Sequence, residues 1–297
     1  MATATVGRRS APVVLEESFA SRTLRTVTRA PVQVFLILVG ILWLVPTIGL
    51  FLTSLMPVEQ IETTGWWTII STPSRATFEN YREVFANDTI TGSLLTTLWI
   101  AIGGTLLPIF VAALAAYAFA WLEFPGRDWL FLVVIGLLVV PLQMALIPIF
   151  SLYSTVGIFD TVIGLVLFHT AFGLPFAIFL LRNFFIGIPK DLLEAARIDG
   201  ASEVRIFFKL MLPLALPAIA ALAIFQFLWV WNDFLVALTF ARQVDPITVA
   251  IFSQMRSFST NVELIAPAAF ISLVIPLVVF FAFQRYFVQG LLAGSVK

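Results

Sequence analysis

Six long apolar stretches alternate with shorter polar segments along the chain. They lie near residues 32–55, 93–122, 129–152, 161–185, 212–240 and 265–289. Each stretch is long enough to cross a bilayer as a helix, which takes roughly 20 mostly apolar residues. Prolines inside the stretches, such as Pro141 and Pro148, would kink these helices, and neighbouring helices could satisfy the freed carbonyl groups. The pattern predicts an all-α integral membrane protein with six transmembrane helices over residues 32–289, flanked by tails at 1–31 and 290–297.

Basic residues predict how these helices are oriented. With the N-terminus inside, most of the 17 lysines and arginines fall in segments that face the cytoplasm. The exceptions are Arg75, Arg82, Arg242 and Arg256. Cytoplasmic loops of membrane proteins carry the excess of Lys and Arg. We therefore expect both termini, and the polar segment 187–213, to lie in the cytoplasm.

Composition supports the membrane class and excludes several kinds of chemistry. Hydrophobic residues make up 60% of the chain and the mean hydropathy is +1.02, whereas soluble proteins have roughly 45–50% apolar residues. The absence of cysteine excludes disulfides, thiolate metal sites and cysteine nucleophiles. The net charge is zero, so no overall field attracts nucleic acid. His169, the single histidine, is expected to be a hydrogen-bonded packing residue, with a proton relay as the alternative; alone it cannot organise a metal site.

The segment 187–213 is polar, basic and patterned, unlike the apolar stretches on either side. Pro189 fixes φ, and Asp191 places an acid in the first turn of a helix. Gly200 stands where that helix needs a left-handed residue to stop, and Ser202 can cap a second helix. The segment therefore predicts a helix, a glycine turn and a second helix. It is either an ordinary amphipathic loop or a surface that docks on a partner.

Within this segment Glu194-Ala195-Ala196, Gly200 and Leu212-Pro213 form the EAA–G–LP pattern of the membrane subunits of ATP-driven importers. Other landmarks are Glu79-Asn80-Tyr81, Ala116-Tyr117-Ala118-Phe119-Ala120, Phe124-Pro125-Gly126, Trp231-Asn232-Asp233-Phe234 and the ending 289–297. From about residue 34 to 297 the chain resembles the carbohydrate-importer branch of bacterial ABC transporter permeases, specifically the maltose-type second permease subunit.

This resemblance implies an ABC type I importer permease fold with a cytoplasmic coupling-helix loop. It also implies a non-catalytic subunit of a larger machine in the bacterial inner membrane. The expected partners are a second homologous permease, two ATP-binding subunits that hold ATP and Mg²⁺, an extracytoplasmic sugar-binding protein, and membrane lipid. The chain has no G-x-x-x-x-G-K-[ST] phosphate loop, and we expect it to bind no cofactor, no metal and no nucleic acid.

The resemblance also assigns roles to residues. ATPase coupling falls to Glu194, Ala195, Ala196, Asp199, Gly200, Leu212 and Pro213. A second candidate contact with the ATPase is the C-terminal tail, through Gly290, Gly294 and Lys297, with a disordered end as the alternative.

Asp233 is the one acid predicted well inside a stretch, and such residues are costly in lipid and usually face a cavity or a partner. With Gln226, Trp231 and Asn232 it forms a polar and aromatic strip on the predicted fifth helix. Aromatic faces and amide groups suit sugars, which have apolar ring faces and hydroxyl edges. A translocation path that contacts sugar and an interhelical hydrogen-bonded brace are both open. Gln143 is a weaker candidate for the same path.

The substrate is less defined than the class. Gly65-Trp66-Trp67 resembles the α-glucoside-type permeases, which favours a disaccharide, a larger oligosaccharide or a glucosylated polyol. An ABC importer for another solute, such as amino acids or phosphate, is the alternative. An ion-coupled secondary transporter would need intramembrane acids or a pair of broken helices; only Asp233 qualifies, and the EAA pattern would be unexplained.

Overall fold

The computed structural model describes residues 19–256 and 261–293, and the described part is helical with connecting turns and no strand. The chain divides into two units, Met1–Gly49 and Leu50–Lys297. Helices that are apolar and long enough to cross a membrane are Pro31–Ser54, Asp88–Trp121, Val162–Ile186 and Val262–Arg285, and two bent helix pairs bring the total to as many as six.

The N-terminal helix and the segment after it are tied together by a buried amide. Helix α1 (Phe19–Ser54) is followed by short helices at Val58–Ile61 and Thr68–Ser71, a 3₁₀ turn at Pro73–Arg75, and helix α2 (Glu79–Ala86). The side-chain amide of Asn80 donates to the carbonyl oxygens of Ser54 (3.0 Å) and Met56 (2.8 Å). These bonds hold α2 against the last turn of α1.

Two long helices, α3 (Asp88–Trp121) and α6 (Val162–Ile186), pack along each other at the centre of the second unit. The side chain of Asn87 caps α3 by accepting the N–H of Ile90 at 3.1 Å. Small buried residues on both helices, including Ala112 and Ala177, allow the backbones to approach closely.

The third apolar stretch is broken, which differs from the single helix expected over 129–152. It forms α4 (Arg127–Leu137) and α5 (Leu142–Val156), whose axes are bent by 100°. Pro141 lies at the break in an extended conformation. Proline has no N–H and disfavours helical geometry in the residue before it, so the chain turns there instead of kinking within one helix.

The fifth stretch is also broken, where one helix was expected over 212–240. Helix α8 (Glu203–Leu214), which contains a π-helical turn at Phe207–Met211, meets α9 (Leu216–Trp231) at 72°. Pro217 stands at the second position of α9, where its missing N–H is tolerated. The chain breaks again before α10 (Leu235–Phe240).

Two further helices complete the described chain, α11 (Ile247–Arg256) and α12 (Val262–Ala293). α9 packs against both α3 and α12. α12 continues to Ala293, four residues past the predicted end of the sixth membrane span at 289, so Gly290 lies within the helix. Gly294 and Lys297 lie outside the described residues.

Candidate functional site

The polar segment 187–213 contains helix α7 (Lys190–Ile198), which has two different faces. Leu193 is completely buried against the chain's own core, with Tyr117 and Ile206 in the same cluster. Leu192, Ala195 and Ile198 are exposed, and Ile198 is 85% exposed. Residues three apart lie on neighbouring positions of a helix surface, so these three form one apolar stripe that residues 19–256 and 261–293 leave uncovered.

The helix–glycine–helix prediction for this loop is confirmed. Gly200 has φ +77°, and its N–H donates to the carbonyl of Arg197 at 3.0 Å. The N–H of Ala201 donates to the carbonyl of Ala196 at 3.0 Å, which completes a Schellman ending. The hydroxyl of Ser202 then accepts the N–H of Arg205 at 3.4 Å and caps α8.

The residues of the EAA–G–LP pattern occupy different surroundings. Glu194 is exposed, and its carboxylate lies 2.9 Å from the Lys190 ammonium. Hydrogen bonding to Glu194 raises the pKa of Lys190. Asp199 and Gly200 are exposed. Ala196 and Leu212 are half-buried, while Ala195 and Pro213 are exposed.

The sequence did not predict a polar cluster that joins the segment 187–213 to α3. The Nε of Arg197 donates to Oε1 of Glu203 at 2.8 Å, and the hydroxyl of Tyr117 donates to Oε2 of the same carboxylate at 2.5 Å. Tyr117 lies on α3, 86 residues before Glu203 in the sequence. The sequence does show a tyrosine next to alanines at Ala116–Ala120. However, no neighbouring residue in that stretch indicates that Glu203 is its hydrogen-bond partner.

A second polar cluster lies inside the bundle around Gln226. Its amide nitrogen donates to the carbonyl oxygens of Gly104 at 3.0 Å and His169 at 3.4 Å. Gly173 leaves the necessary room, since a Cβ there would come within 2.5 Å of the amide nitrogen. Asp233 is close by, with its carboxylate oxygen 3.7 Å from Nε2 of His169.

Asp233 is held by the break between α9 and α10. Its carboxylate accepts the N–H groups of Val236 (3.2 Å) and Ala237 (2.9 Å) at the start of α10. Its carbonyl accepts the hydroxyl of Thr248 at 2.6 Å. The acid therefore lies at a helix start rather than within a continuous span, and its interactions are those of an internal brace.

The other residues of the predicted strip separate into buried and exposed positions. Trp231 is 1% exposed, and its indole N–H donates to the carbonyl of Ser272 at 2.9 Å. Asn232 is exposed in an open cleft of about 400 Å³ between α9 and α12. The cleft is lined mainly by Leu228, Asn232, Ile251, Ser272, Pro276 and Phe280. Gln143 is exposed on α5, and none of the described hydrogen bonds joins it to this strip.

Among residues 19–256 and 261–293, no three His, Asp or Glu side chains lie close enough together to hold a metal ion. The cluster of Tyr117, Arg197 and Glu203 contains a single carboxylate. The described residues offer three features: an exposed apolar stripe on α7, a hydrogen-bonded linkage of Tyr117, Glu203 and Arg197, and an open cleft beside Asn232.

Comparison with known proteins identifies the family to which this chain is similar. Residues 104–292 match the family described as "Binding-protein-dependent transport system inner membrane component". The chain is 46% identical to the osmoprotective compounds uptake permease protein GgtD of Synechocystis sp., over 91% of this chain and 92% of that protein. It is 52% identical to the alpha-glucoside transport system permease protein AglG of Rhizobium meliloti, over 76% of this chain and 62% of that protein.

Among solved structures, the chain is similar to one from a bacterial ABC transporter involved in the import of the acidic polysaccharide alginate. The TM-score is 0.68 and the sequence identity 21%, over 92% of this chain and 99% of that chain. The superposition covers most of both chains although the sequence identity is low. The two chains therefore share a fold, that of an ABC importer permease.

Proposed function

This chain belongs to the family of binding-protein-dependent transport system inner membrane components, and on that premise we propose that it forms one half of the translocation pathway of an ATP-driven sugar importer. It is a non-catalytic, multi-pass membrane subunit. The single observation that carries the proposal is the exposed apolar stripe of α7, on a loop with the EAA–G–LP pattern.

The stripe of Leu192, Ala195 and Ile198 is the proposed contact with an ATP-binding subunit. A large apolar side chain such as Ile198 is rarely left fully exposed beside other apolar groups unless a partner covers it. Glu194 adds one charge at the edge of the stripe, and the small Ala195 lets the partner's surface approach. The opposite face, at Leu193, holds the helix to the membrane part of the same chain.

Coupling requires more than tight docking. ATP and Mg²⁺ bind to the two ATPase subunits, and their closure must favour one conformation of the permease pair over the other, since equal affinity for both would shift nothing. A second homologous permease and an extracytoplasmic binding protein complete the proposed complex. The C-terminal residues Gly290, Gly294 and Lys297 are a second proposed contact with the ATPase.

An α-glucoside is the proposed substrate class. The relative AglG is an alpha-glucoside permease by name, and the present chain is 52% identical to it where the two align. The open cleft beside Asn232 offers an amide together with apolar walls at Leu228 and Phe280, which suits hydroxyl edges and ring faces. We place the translocation path of this subunit along that cleft. Trp231 supports its wall, because the indole N–H donates to the carbonyl of Ser272 in the cleft lining. Gln226 and Asp233 are candidates that lie in the polar cluster inside the bundle, and Gln143 is a peripheral candidate.

An osmoprotective solute is the second candidate substrate. Its specific support is the 46% identity to GgtD, whose name gives osmoprotective compounds as the cargo. A glucosylated polyol would satisfy both relationships, because it is at once an α-glucoside and a compatible solute.

Docking is tested by Ile198→Asp in the reconstituted complex. A buried charge without a partner is costly, so we expect the variant to fold and reach the membrane but to lose co-purification with the ATPase and ATP-driven uptake. Phe85→Asp is the matched control, since Phe85 is also a large exposed apolar residue, 62% exposed, but lies on the predicted outer segment. The control should retain the ATPase. Normal ATPase assembly in Ile198→Asp would contradict the docking surface.

Substrate class is tested separately, by competition against uptake of a labelled α-glucoside with its cognate binding protein. Unlabelled α-glucosides and a glucosylated polyol should compete, whereas β-glucosides, amino acids and phosphate should not. Competition by an amino acid or phosphate, with none by α-glucosides, would overturn the sugar proposal while leaving the importer proposal intact.

A further inference from the structure

The coupling helix α7 is joined to the long membrane helix α3 by two different kinds of contact. The first is apolar: Leu193 enters a buried cluster that also contains Tyr117, Phe185 and Met211. Hydrophobic contact is non-directional, so it holds the helix in place without fixing how it rotates or slides. The second contact is polar and has direction.

One carboxylate supplies that second contact to both sides. Oε1 of Glu203 accepts from Arg197 on α7, and Oε2 accepts from Tyr117 on α3. Both bonds involve a charged group, and such bonds are shorter and stronger than neutral ones. Hydrogen bonding to Glu203 raises the pKa of Arg197.

The surroundings fix the Tyr117 end of this linkage, whereas the side chains of Arg197 and Glu203 are 37% and 42% exposed. Tyr117 is 5% exposed, and its ring meets Phe185 edge-on with a centroid distance of 6.4 Å and Phe207 at 5.4 Å. Phe207 is the first residue of the π-helical turn that follows the short α-helical start of α8. π-turns are rare and occur often at functional sites. Here the π-turn directly follows the single α-helical turn that begins at Glu203.

Gly200 shows why such a linkage is needed. It connects α7 to α8 with φ +77°, and nothing lies within 4 Å of the position that its Cβ would take. The two backbone hydrogen bonds of the Schellman ending close the end of α7 but do not reach α3, so the polar connection to α3 depends on side chains outside the turn.

We propose that Arg197, Glu203 and Tyr117 are positioning residues that make the coupling helix and α3 move as one body, so that displacement of α7 by the ATPase reaches the membrane core. This inference rests on the proposed function, because it names the residues through which that function would be transmitted. Arg197 and Tyr117 act only through Glu203, and none of the three needs to touch the sugar.

The first test is the amount of substrate transported per ATP hydrolysed in the reconstituted complex. Tyr117→Phe keeps the buried ring and removes only the hydroxyl. We expect this variant to assemble with the ATPase and hydrolyse ATP, but to transport about threefold less substrate per ATP or worse. Glu203→Gln should give the same loss, and the double variant little more than either alone, because both changes break one linkage.

Tyr81→Phe is the matched control. The hydroxyl of Tyr81 also makes one side-chain hydrogen bond, with Ser54 at 2.7 Å, but far from the segment 187–213. It should lower the melting temperature about as much as Tyr117→Phe and leave the transport-to-ATP ratio unchanged. A wild-type ratio in both Tyr117→Phe and Glu203→Gln would overturn the inference.

A second measurement needs no partner and so separates this inference from the proposed function. The chain has no native cysteine, so spin labels can be attached at Asp88→Cys and Asp191→Cys in the full chain in lipid nanodiscs. The pair spans α3, whose 34 residues extend about 50 Å at 1.5 Å per residue. We expect Tyr117→Phe to broaden the distance distribution and Tyr81→Phe to leave it narrow. An unbroadened distribution would overturn the linkage even if Ile198→Asp behaves as the docking proposal expects.

Discussion

Asp160 joins two loops through a single side chain. Its carboxylate accepts the backbone N–H groups of Arg242 (2.7 Å), Gln243 (3.0 Å) and Val244 (3.2 Å). Burial alone would raise the pKa of Asp160, but these N–H groups and the charge of Arg242 lower it overall. The backbone at Asp160 has φ +58°, a conformation that Asn and Asp tolerate better than most residues. A strained residue is kept here because its side chain satisfies three donors at once.

Asp160→Asn should therefore destabilise the chain in a pH-dependent way. A carboxyl whose folded-state pKa is lowered stabilises the protein above its unfolded pKa, and the effect is lost as the pH falls through the folded value. We expect the substitution to lower the free energy of unfolding by about 1 kcal/mol at pH 7, and the difference from wild type to shrink on acidification below about pH 4. Melting temperatures across pH measure this.

Asp245 provides the control for that experiment. Burial and the negative charge of Asp160 raise the pKa of Asp245, so Asp245→Asn should be neutral or stabilising at pH 7, the opposite sign. A destabilisation by Asp160→Asn that is the same at pH 3 and pH 7 would contradict the role of the charge.

Gly173 is expected to tolerate no side chain. A Cβ there would lie 2.5 Å from Nε2 of Gln226, so Gly173→Ala must displace the amide from the carbonyl oxygens of Gly104 and His169. Leaving buried polar groups unpaired costs about 1–3 kcal/mol each. Gly136→Ala is the control, because nothing lies within 4 Å of its Cβ position and alanine favours a helix. Thermal unfolding in detergent should show a loss for the first variant only; equal melting temperatures would contradict the packing.

Local signals were predictable at the residue scale and distant partnerships were not. Gly200 and Ser202 could be assigned from sequence because a helix end and a cap depend on neighbours within a few residues. The partners of Tyr117 and Asp160 lie more than 80 residues away along the chain. Only the folded arrangement of the helices brings those side chains together.

At the scale of helices, the structure differs from the prediction at two helix breaks. Apolar content predicted six stretches correctly in number, if each bent pair is counted as one span, but it could not separate a kink from a turn of 100° or 72°. Hydropathy measures how apolar a segment is and carries no information on direction. Prolines mark the breaks at Pro141 and Pro217, yet Pro108 and Pro175 lie inside continuous helices. Tertiary packing decides which prolines end a helix.

Asp233 affects the stability of a whole helix, because its carboxylate accepts N–H groups at the start of α10. If its main role is to cap α10, Asp233→Ala should lower the free energy of unfolding by about 1 kcal/mol, while Asp233→Asn, which keeps an acceptor oxygen, should lose less and retain transport. Thermal unfolding and uptake of the same preparations measure both quantities. Strong loss of transport in Asp233→Asn at unchanged stability would instead place the carboxylate in the translocation path.

At the scale of the whole molecule, the family and the fold followed from the combination of apolar stretches and one patterned loop. Either alone would be insufficient: six spans occur in many transporters, and a short motif such as EAA can arise by chance. The placement of the motif between the fourth and fifth stretches made the combination specific. The substrate did not follow in the same way, because the residues that line the open cleft beside Asn232 come from separate parts of the chain and form no local motif.

Orientation in the membrane is the property of the whole chain that the charge distribution predicts most directly. If the excess of Lys and Arg marks the cytoplasmic side, then α7 faces the cytoplasm and α2 faces outward. Because there is no cysteine in the chain, single cysteines at the exposed positions Glu83 on α2 and Asp191 on α7 report each side without background.

In intact cells whose outer membrane has been made permeable, a membrane-impermeant maleimide should label Glu83→Cys and leave Asp191→Cys unlabelled until the inner membrane is opened. Labelling of Asp191→Cys before opening would invert the topology. It would also remove the segment 187–213 from the compartment that contains ATP. The proposed ATPase contact at Ile198, the proposed transmission through Glu203 and the proposed delivery of substrate from outside the cell all require the same orientation, so this measurement constrains them together.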